Sequence, residues 1–596
     1  MTTGKFIFRK VTVFFWLLII LFSIAPSQTE LISDQETTPY HMQEYIRASG
    51  LYNGNKIYGT QPVSVYQDFI QVSDAPWLRL YFGKCNLGYR SFIKITSLKD
   101  GERQHLNSTT LKQWYNTSAL FNGDALKLEL HVAPEDQGIF FEIEKIMVGN
   151  RPTRTGINSL SKVASDPCTG WCGICGGYDD RSSTNDPGVG RIFPLSTWCG
   201  PGLEDRCGCT GWIASNGTYL TAGHAVAAFD EGTTLQFNIP ASESDGTPNQ
   251  PATRDQYPII IPPDNPIPEY NYGNIGQDWA VFYCHPNSET DLLPVEAQNA
   301  FYRPSIDIDP DVFRVTGYGL DECPPGSGSE RNSDSFTQQT STGPNYGETG
   351  SGNDVYWTFG VDIRSRSSGS PIIPLNTALS VGIVTHCDPN RGTSFENDEL
   401  ADTLNTFLSH NISYVDNGHP ATIENGTVFR PYDTVVEGIN AVPSGGVLCI
   451  VKGSYNESLT INKAMTIIAP VGTVTIGPSG FTKPVIASEK IEHDKDHSVD
   501  VSIPTEFNIF QNYPNPFNAK TTIHYTLKED VKVHLKIFNL MGQEVRVLVN
   551  ENQPAGYYTV TWNGKDKYGE LLPSGIYIYN VDTGKFNKTL KLLMLK

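Results

Sequence analysis

Short runs in which apolar and polar residues alternate are the feature of this sequence that most constrains its fold. The alternation recurs at residues 77–82, 126–132 and 140–146. Successive side chains of a strand point to opposite faces of a sheet, so a period of two predicts half-buried strands. With 54 glycines and 39 prolines in 596 residues, the pattern predicts a mainly β protein, and the length predicts several domains rather than one core.

The N-terminal end has the pattern of a secretory signal peptide. Basic residues precede an apolar run at 11–24 and small residues follow it, so we assign the signal peptide to residues 1–27. The run is too short to span a membrane comfortably, and no later stretch approaches the roughly 20 apolar residues that a span needs. We expect a secreted or cell-surface protein with no transmembrane span in the mature chain. The net charge of −20 argues against a nucleic-acid partner.

Cysteine is concentrated in one region, with seven of the 11 cysteines between Cys168 and Cys284. Disulfide bonds are the default in an exported protein, and we expect them to cross-link this region. The C-x2-C pair Cys172 and Cys175 leaves a zinc site as the alternative, but the irregular spacing and the lack of a nearby histidine favour disulfides. Because 11 is odd, one thiol must lie outside intrachain pairs, and Cys449 is our candidate for a buried free thiol. We expect no metal and no other cofactor.

Three short segments carry residue types suited to acyl transfer. Thr-Ala-Gly-His ends at His224, Asp278 begins Asp-Trp-Ala-Val-Phe, and Ser-Gly-Ser-Pro begins at Ser368. A serine hydroxyl becomes a strong nucleophile when an imidazole accepts its proton, and a carboxylate orients that imidazole and stabilises its charged form. Each residue alone has an ordinary explanation as a packing histidine, a capping aspartate or a loop serine. Their joint occurrence predicts that Ser368, His224 and Asp278 form a catalytic triad.

Residues 185–410 resemble the chymotrypsin-like serine proteases, especially their bacterial glutamyl-endopeptidase-like branch, in these three motifs and their order. The resemblance implies a trypsin-like double β-barrel, which we assign to residues 161–415, and hydrolysis of proteins or peptides through an acyl-enzyme. It also implies an oxyanion hole formed by the backbone N–H groups of Arg366 and Ser368.

Two residues before the nucleophile depart from the family pattern. Arg366 and Ser367 stand where the family usually carries glycine and an aspartate or asparagine. A positive φ at Arg366 would cost on the order of 1–3 kcal/mol. This departure keeps a catalytically degenerate surface or adhesion protein as the alternative function.

The same resemblance implies a primary specificity pocket near three residues. Asp362 falls where trypsin-like enzymes place the carboxylate that binds a substrate lysine or arginine, although it could equally cap a loop. His386 would instead suit an acidic substrate side chain, but glutamyl endopeptidases carry their histidine at the position that is Val384 here. The prediction favours basic substrate side chains.

Two further segments flank this region. Residues 28–160 loosely resemble the jelly-roll β-sandwiches found beside secreted bacterial hydrolases, and a binding module, a spacer and a pro-region all remain open. Residues 416–490 are similar to the opening coils of pectate-lyase-type β-helices. Only about two coils fit where about three are needed to bury their faces. A polysaccharide-active enzyme is therefore a weaker third hypothesis.

The C-terminal segment contains Phe-Gln-Asn-Tyr-Pro-Asn-Pro-Phe-Asn at residues 510–518 and Ser-Gly-Ile-Tyr at 574–577. On these motifs, residues 500–596 closely match the C-terminal sorting domain of type IX secretion, an Ig-like β-sandwich. The resemblance implies that the type IX machinery is a partner, and that the domain is removed after passage across the outer membrane.

Overall fold

The computed structural model describes most of the chain. The described residues are 40–57, 59–151, 179–194, 208–261, 269–319, 332–364, 366–387, 389–461, 463–477, 507–509, 521–539, 542–553, 556–568, 571–573 and 575–594. The chain divides into two compact units, Met1–Glu489 and Lys490–Lys596. In both units most described secondary structure is strand, which confirms the predicted mainly β class.

The first unit begins with a β-sandwich. Its elements are β1 (Tyr40–Ala48), β2 (Val63–Gln71), β3 (Trp77–Asn86), β4 (Phe92–Ser97), β5 (Arg103–Leu106), α1 (Thr110–Gln113), β6 (Phe121–Asn122), β7 (Ala125–Val132) and β8 (Phe140–Gly149). The strands form two four-stranded sheets, β1-β8-β3-β6 and β2-β7-β4-β5, which is the strand order of a jelly roll. Alternate residues of both sheets fill one apolar core around Trp114 and Phe141.

A first barrel follows. Its elements are β9 (Ser182–Ser183), β10 (Val189–Phe193), β11 (Cys209–Ile213), β12 (Tyr219–Thr221), α2 (Gly223–Val226), β13 (Thr234–Gln236), β14 (Gln256–Pro258), β15 (Glu269–Tyr272) and β16 (Asp278–Phe282). Six strands pair in the order β14-β13-β10-β11-β12-β16, and β15 extends the sheet beyond β16. An isolated bridge between Ile259 and Cys284 joins the two ends of this order.

The second barrel is closed by regular pairing. Its region contains α3 (Pro294–Gln298), β17 (Arg303–Pro304), β18 (Val312–Gly317), β19 (Gln339–Ser351), β20 (Asp354–Phe359), β21 (Pro371–Pro374), β22 (Leu379–Ser380), β23 (Gly382–Cys387), β24 (Asn390–Ser394) and α4 (Asp398–Thr406). The order β18-β21-β23-β24-β20-β19 returns to β18 through a β18–β19 pairing, and β9 adds to β19. The predicted double barrel is therefore confirmed.

Parallel strands complete the first unit. They are β25 (Ile412–Val415), β26 (Val447–Ile450), β27 (Gly453–Tyr455), β28 (Thr466–Ile468) and β29 (Val474–Ile476), with α5 (Val435–Ala441) before β26. β25, β26 and β28 pair in parallel, as do β27 and β29, which is the pairing expected of β-helix coils. This β-helix-like segment is tied to the second barrel region by an ion pair in which Arg303 Nε lies 2.6 Å from Asp416 Oδ2.

The N-terminal sandwich and the first barrel share a buried interface. Trp77, Leu120 and Met147 from the sandwich side pack with Phe193 of β10. Gln256 at the start of β14 is fully buried, and its side chain binds the backbone of Leu120 on both sides, accepting from N–H at 2.9 Å and donating to the carbonyl at 2.8 Å. These contacts make the sandwich and the barrel parts of one packed body.

The second unit is a small β-sandwich. Its strands are β30 (Asn508–Ile509), β31 (Thr521–Leu527), β32 (Val531–Phe538), β33 (Glu544–Gln553), β34 (Gly556–Trp562), β35 (Gly575–Asp582) and β36 (Asn587–Met594). They form the sheets β30-β31-β34 and β33-β32-β35-β36 around a core of their own, as predicted for an Ig-like domain. Across the described parts of the chain, no helix has the length and apolar character needed to cross a membrane.

Several predictions about the termini and the cysteines concern residues outside the described ranges. These are the signal peptide at residues 1–27 and the cysteines Cys168, Cys172, Cys175, Cys199, Cys207 and Cys323. Cys449 is described, fully buried and a free thiol, which confirms that prediction. Burial raises the pKa of this thiol and keeps it protonated.

Candidate active site

His224 and Asp278 are brought together by two neighbouring strands of the first barrel. β12 pairs with β16 in antiparallel fashion, His224 lies in α2 just after β12, and Asp278 is the first residue of β16. The Nδ1 atom of His224 lies 2.7 Å from Oδ2 of Asp278, and the His224 backbone N–H donates to Oδ1 at 2.8 Å. Two contacts to one buried carboxylate hold both the backbone and the ring of His224.

Gly223 is required by the close packing at this point. A Cβ atom at this position would lie 1.9 Å from the carbonyl oxygen of Asn271 and 2.8 Å from that of Trp279. Both atoms belong to backbone in β15 and β16, so neither can move aside easily. The glycine of the Thr-Ala-Gly-His motif therefore lets the histidine reach its carboxylate.

The electrostatics of the pair favour the protonated imidazole. Burial opposes the charge on His224, but the Asp278 carboxylate outweighs that effect and raises the pKa of His224 well above its usual range. The thiol of Cys209, in β11, also forms a hydrogen bond with the imidazole, and this interaction adds to the increase in the pKa of His224.

Ser368 lies in the loop between β20 and β21. Its carbonyl oxygen accepts a hydrogen bond from the N–H of Thr210 at 2.9 Å. Thr210 directly follows Cys209, whose thiol forms a hydrogen bond with His224. The Ser368 hydroxyl donates to the carbonyl of Thr385 at 3.4 Å, and between the described side chains of Ser368 and His224 no hydrogen bond forms.

Gly369 fixes the turn after Ser368. Its φ is +92°, and a Cβ atom there would lie 2.0 Å from the carbonyl oxygen of Thr210. Its N–H donates to the carbonyl of Val384 at 2.7 Å. The turn is therefore pinned between β11 and β23, one strand from each barrel. We call residues 366–369 the nucleophile loop.

Arg366 adopts the left-handed backbone conformation for which the sequence analysis gave a cost in strain. Its φ is 81°, although it is not glycine. The side chain is buried, with its guanidinium carbon 4.2 Å from the centre of the Phe336 ring. Stacking of the guanidinium on the ring opposes the conformational strain.

The three residues predicted for the specificity pocket lie in different surroundings. Asp362 is buried, and its Oδ2 accepts the backbone N–H of Asp180 at 2.9 Å. Val384 is 1% exposed and packs in the apolar core of the second barrel. His386 lies at the end of β23, with Nδ1 2.9 Å from the hydroxyl of Thr385.

His386 is electrostatically coupled to the pair of His224 and Asp278. Partial burial lowers its pKa, the Asp278 carboxylate opposes this shift, and His224 and Arg391 reinforce it.

Sequence reasoning missed a buried ion cluster behind the nucleophile loop. It consists of Asp179, Arg181 and Arg364; the first two are near neighbours in the chain, Arg364 is distant from both, and they carry no recognisable motif. No group of three or more metal-ligating side chains occurs among the residues that the structure describes.

Comparisons with known proteins give one family match. A family model described as the FlgD Ig-like domain matches residues 517–585, in the second compact unit. No curated protein matches the chain.

Two scabies mite inactivated protease paralogues, SMIPP-S-D1 and SMIPP-S-I1, are among the similar solved structures. They are 13% and 17% identical, the matches cover 35% and 36% of this chain and 88% and 92% of theirs, and the TM-scores are 0.22 and 0.24. PorZ of the type-IX secretion system of Porphyromonas gingivalis is 20% identical over 15% of this chain and 11% of its own, with a TM-score of 0.12. Because all three TM-scores are below 0.5, the fold assignment depends on the strand pairings alone.

Proposed function

We propose that this chain is an exported serine endopeptidase that cleaves proteins or peptides through Ser368. The observation that carries the proposal is the two-point contact between His224 and Asp278, with Nδ1 of the imidazole 2.7 Å from the carboxylate. The nucleophile loop adjoins this pair through Cys209 and Thr210 of β11. A packing histidine would not need a buried carboxylate bound to both its ring and its backbone.

In the proposed reaction, Ser368 attacks the carbonyl carbon of the scissile peptide bond while the imidazole of His224 accepts the hydroxyl proton. Asp278 stabilises the imidazolium that forms, and that proton then passes to the leaving amine. Water hydrolyses the acyl-enzyme in a second, similar step, in which His224 takes the proton from water.

The backbone N–H groups of Arg366 and Ser368 are proposed to bind the oxyanion. Arg366 has a positive φ of 81° where glycine would be the easier residue. Strain of this kind persists where the surrounding structure holds it, and it is concentrated at functional sites. The retained conformation favours a working oxyanion hole over the alternative of a degenerate protease.

Ser368→Ala is the direct test of this function. We expect the wild type to digest casein and to be labelled by a fluorophosphonate, and we expect both properties to be lost in Ser368→Ala. Ser370→Ala is the matched control, because Ser370 is a fully buried serine two positions along whose hydroxyl has no hydrogen-bond partner in the described structure. A wild type that neither digests casein nor reacts with the fluorophosphonate would instead support the surface-protein alternative.

A preference for basic side chains remains part of the proposal, with Asp362 as its carboxylate. Digestion of a mixed peptide library by the wild type and by Asp362→Asn tests it. Loss of cleavage after lysine and arginine alone would support the assignment, whereas an equal loss for all peptides would assign Asp362 to holding Asp180.

We also propose that residues 500–596 direct the protein through type IX secretion to the cell surface or the medium. The match of residues 517–585 to an Ig-like domain and the separate compactness of the unit support this role. Its sequence motifs supply the link to the secretion system.

A further inference from the structure

A short segment upstream of the first barrel reaches the back of the nucleophile loop. Residues 179–181, which we call the strap, immediately precede β9, and β9 pairs with β19 of the second barrel. The residues that follow β9 lead into the first barrel. The strap itself lies against the second barrel. Asp180 also accepts a hydrogen bond from the hydroxyl of Ser341, in β19, at 2.5 Å.

The strap carries a carboxylate that binds two buried arginines. Oδ2 of Asp179 lies 2.7 Å from Nη2 of Arg181 and 3.2 Å from Nη2 of Arg364. The side chains of Asp179, Arg181 and Arg364 are only 7%, 4% and 1% exposed. Charges that are this poorly hydrated are stable only when they are paired. Removal of the Asp179 carboxylate would therefore leave Arg181 and Arg364 without this counter-charge.

Arg364 connects this cluster to the nucleophile loop. Its backbone N–H donates to the hydroxyl of Ser367 at 3.2 Å, and its carbonyl accepts the N–H of Ser367 at 2.9 Å. Ser367 lies between Arg366 and Ser368, the two proposed oxyanion donors. The position of Arg364 therefore sets the turn that orients both N–H groups.

The packing around the cluster is tight. A Cβ atom on Gly319 would lie 2.5 Å from Nη1 of Arg181, 2.7 Å from Cβ of Arg364 and 3.3 Å from the hydroxyl oxygen of Ser367. A second contact, from the backbone N–H of Asp180 to Asp362, joins the strap to the chain just before Arg364. With this little free space, a shift of the strap must be passed on to the loop.

We infer that Asp179 is a positioning residue, whose buried carboxylate holds Arg364 and thereby keeps the nucleophile loop in the conformation that oxyanion binding requires. The inference rests on the proposed peptidase function. In this arrangement the nucleophile loop is held in place by a carboxylate of the strap.

The test compares Asp179→Asn with a matched control, Asp416→Asn. Asp416 also forms a buried ion pair with an arginine, its side chain is 1% exposed, and it lies in the β-helix-like segment away from the loop. For Asp179→Asn we expect kcat on a peptide substrate to fall roughly 10- to 100-fold, the range for a weakened oxyanion donor, with little change in KM. Asp416→Asn should keep the wild-type kcat, even if it lowers the melting temperature.

Amide hydrogen exchange supplies a readout that does not depend on activity. We expect exchange of residues 366–369 to accelerate in Asp179→Asn and to match the wild type in Asp416→Asn. Asp179→Glu keeps the charge, should recover part of both losses, and is the variant of choice if Asp179→Asn does not fold.

Two results would separate the inference from the proposed function. Wild-type kcat and wild-type exchange in a folded Asp179→Asn protein would overturn the positioning role. A wild type that is inactive and unlabelled, but whose loop still exchanges faster in Asp179→Asn, would remove the peptidase function and retain the positioning contact.

Discussion

Arg366 carries a left-handed backbone conformation that most side chains avoid, and it does so next to the proposed nucleophile. Its φ of 81° and the stacking of its guanidinium on Phe336, 4.2 Å from the ring centre, act in opposite directions on stability. Because Phe336 also has a positive φ, of 60°, two strained residues face each other. The stacking explains how a bulky residue holds a position where glycine would be unstrained.

Substitution of Arg366 separates the two effects. Arg366→Ala loses the stacking and keeps the strain, whereas Arg366→Gly loses the stacking and releases the strain. We therefore expect Arg366→Gly to be more stable than Arg366→Ala by about 1 kcal/mol, measured by urea denaturation. Equal stabilities would show that the left-handed conformation at this residue is not costly.

The His224 pKa predicts how activity depends on pH. The imidazole accepts the Ser368 proton only when it is neutral, and Asp278 raises its pKa well above the usual range. Activity should therefore be low below that pKa and increase as the pH rises through it. In Asp278→Asn the stabilising charge is absent, so the rise should move to lower pH while kcat falls by roughly 10⁴-fold. An acid limb unchanged by Asp278→Asn would contradict the assignment.

At the level of elements, the proposed site lies where segments of both barrels meet. β12 and β16 of the first barrel hold His224 and Asp278, while the loop between β20 and β21 of the second region carries Ser368. The N-terminal sandwich packs on two other strands of the first barrel. It contacts β10 through Phe193 and β14 through Gln256. The sandwich is thus part of the barrel's support.

Gln256 tests whether the sandwich and the first barrel stabilise each other. Gln256→Met keeps the side-chain volume but removes both hydrogen bonds to the buried backbone of Leu120. Because each of the two buried polar groups left unsatisfied costs about 1–3 kcal/mol, we expect a loss of about 2–6 kcal/mol in the free energy of unfolding.

Gln67→Met is the control for this substitution. Gln67 is exposed on β2, so the change should stay within about 0.5 kcal/mol. Urea denaturation followed by circular dichroism measures both variants, and equal effects would argue against a shared folding unit.

On the scale of the whole molecule, the chain has two compact units with separate cores. The core of the second unit is built around Trp562 and Tyr579 and contains only residues of that unit. The three large core clusters of the sandwich and the barrels lie wholly in the first unit. Separate cores allow the two units to fold independently.

Truncation of residues 490–596 tests this independence and the proposed sorting role together. We expect the shortened protein to keep the wild-type kcat on casein and the same unfolding midpoint for the first unit. In a host with type IX secretion, we expect the full chain at the surface or in the medium and the truncated chain inside the outer membrane. Equal export of both chains would contradict the sorting role.

The local features of this protein could be predicted from its sequence, because each depends on neighbouring residues. Alternating runs such as 126–132 predicted strands, since the two faces of a strand are encoded by adjacent positions. The motifs around His224 and Asp278 likewise named two side chains that the structure brings within hydrogen-bonding distance.

Only the tertiary structure decided which distant groups meet. The sequence identifies Asp179 and Arg364 as charged residues, but it does not show which opposite charge each of them will contact. The pair forms because β9 pairs with a strand of the second barrel. The contact between Cys209 and His224 likewise depends on the pairing of β11 with β12. Strand alternation is determined by neighbouring residues, whereas the pairing of buried charges depends on the tertiary fold, which brings distant segments together.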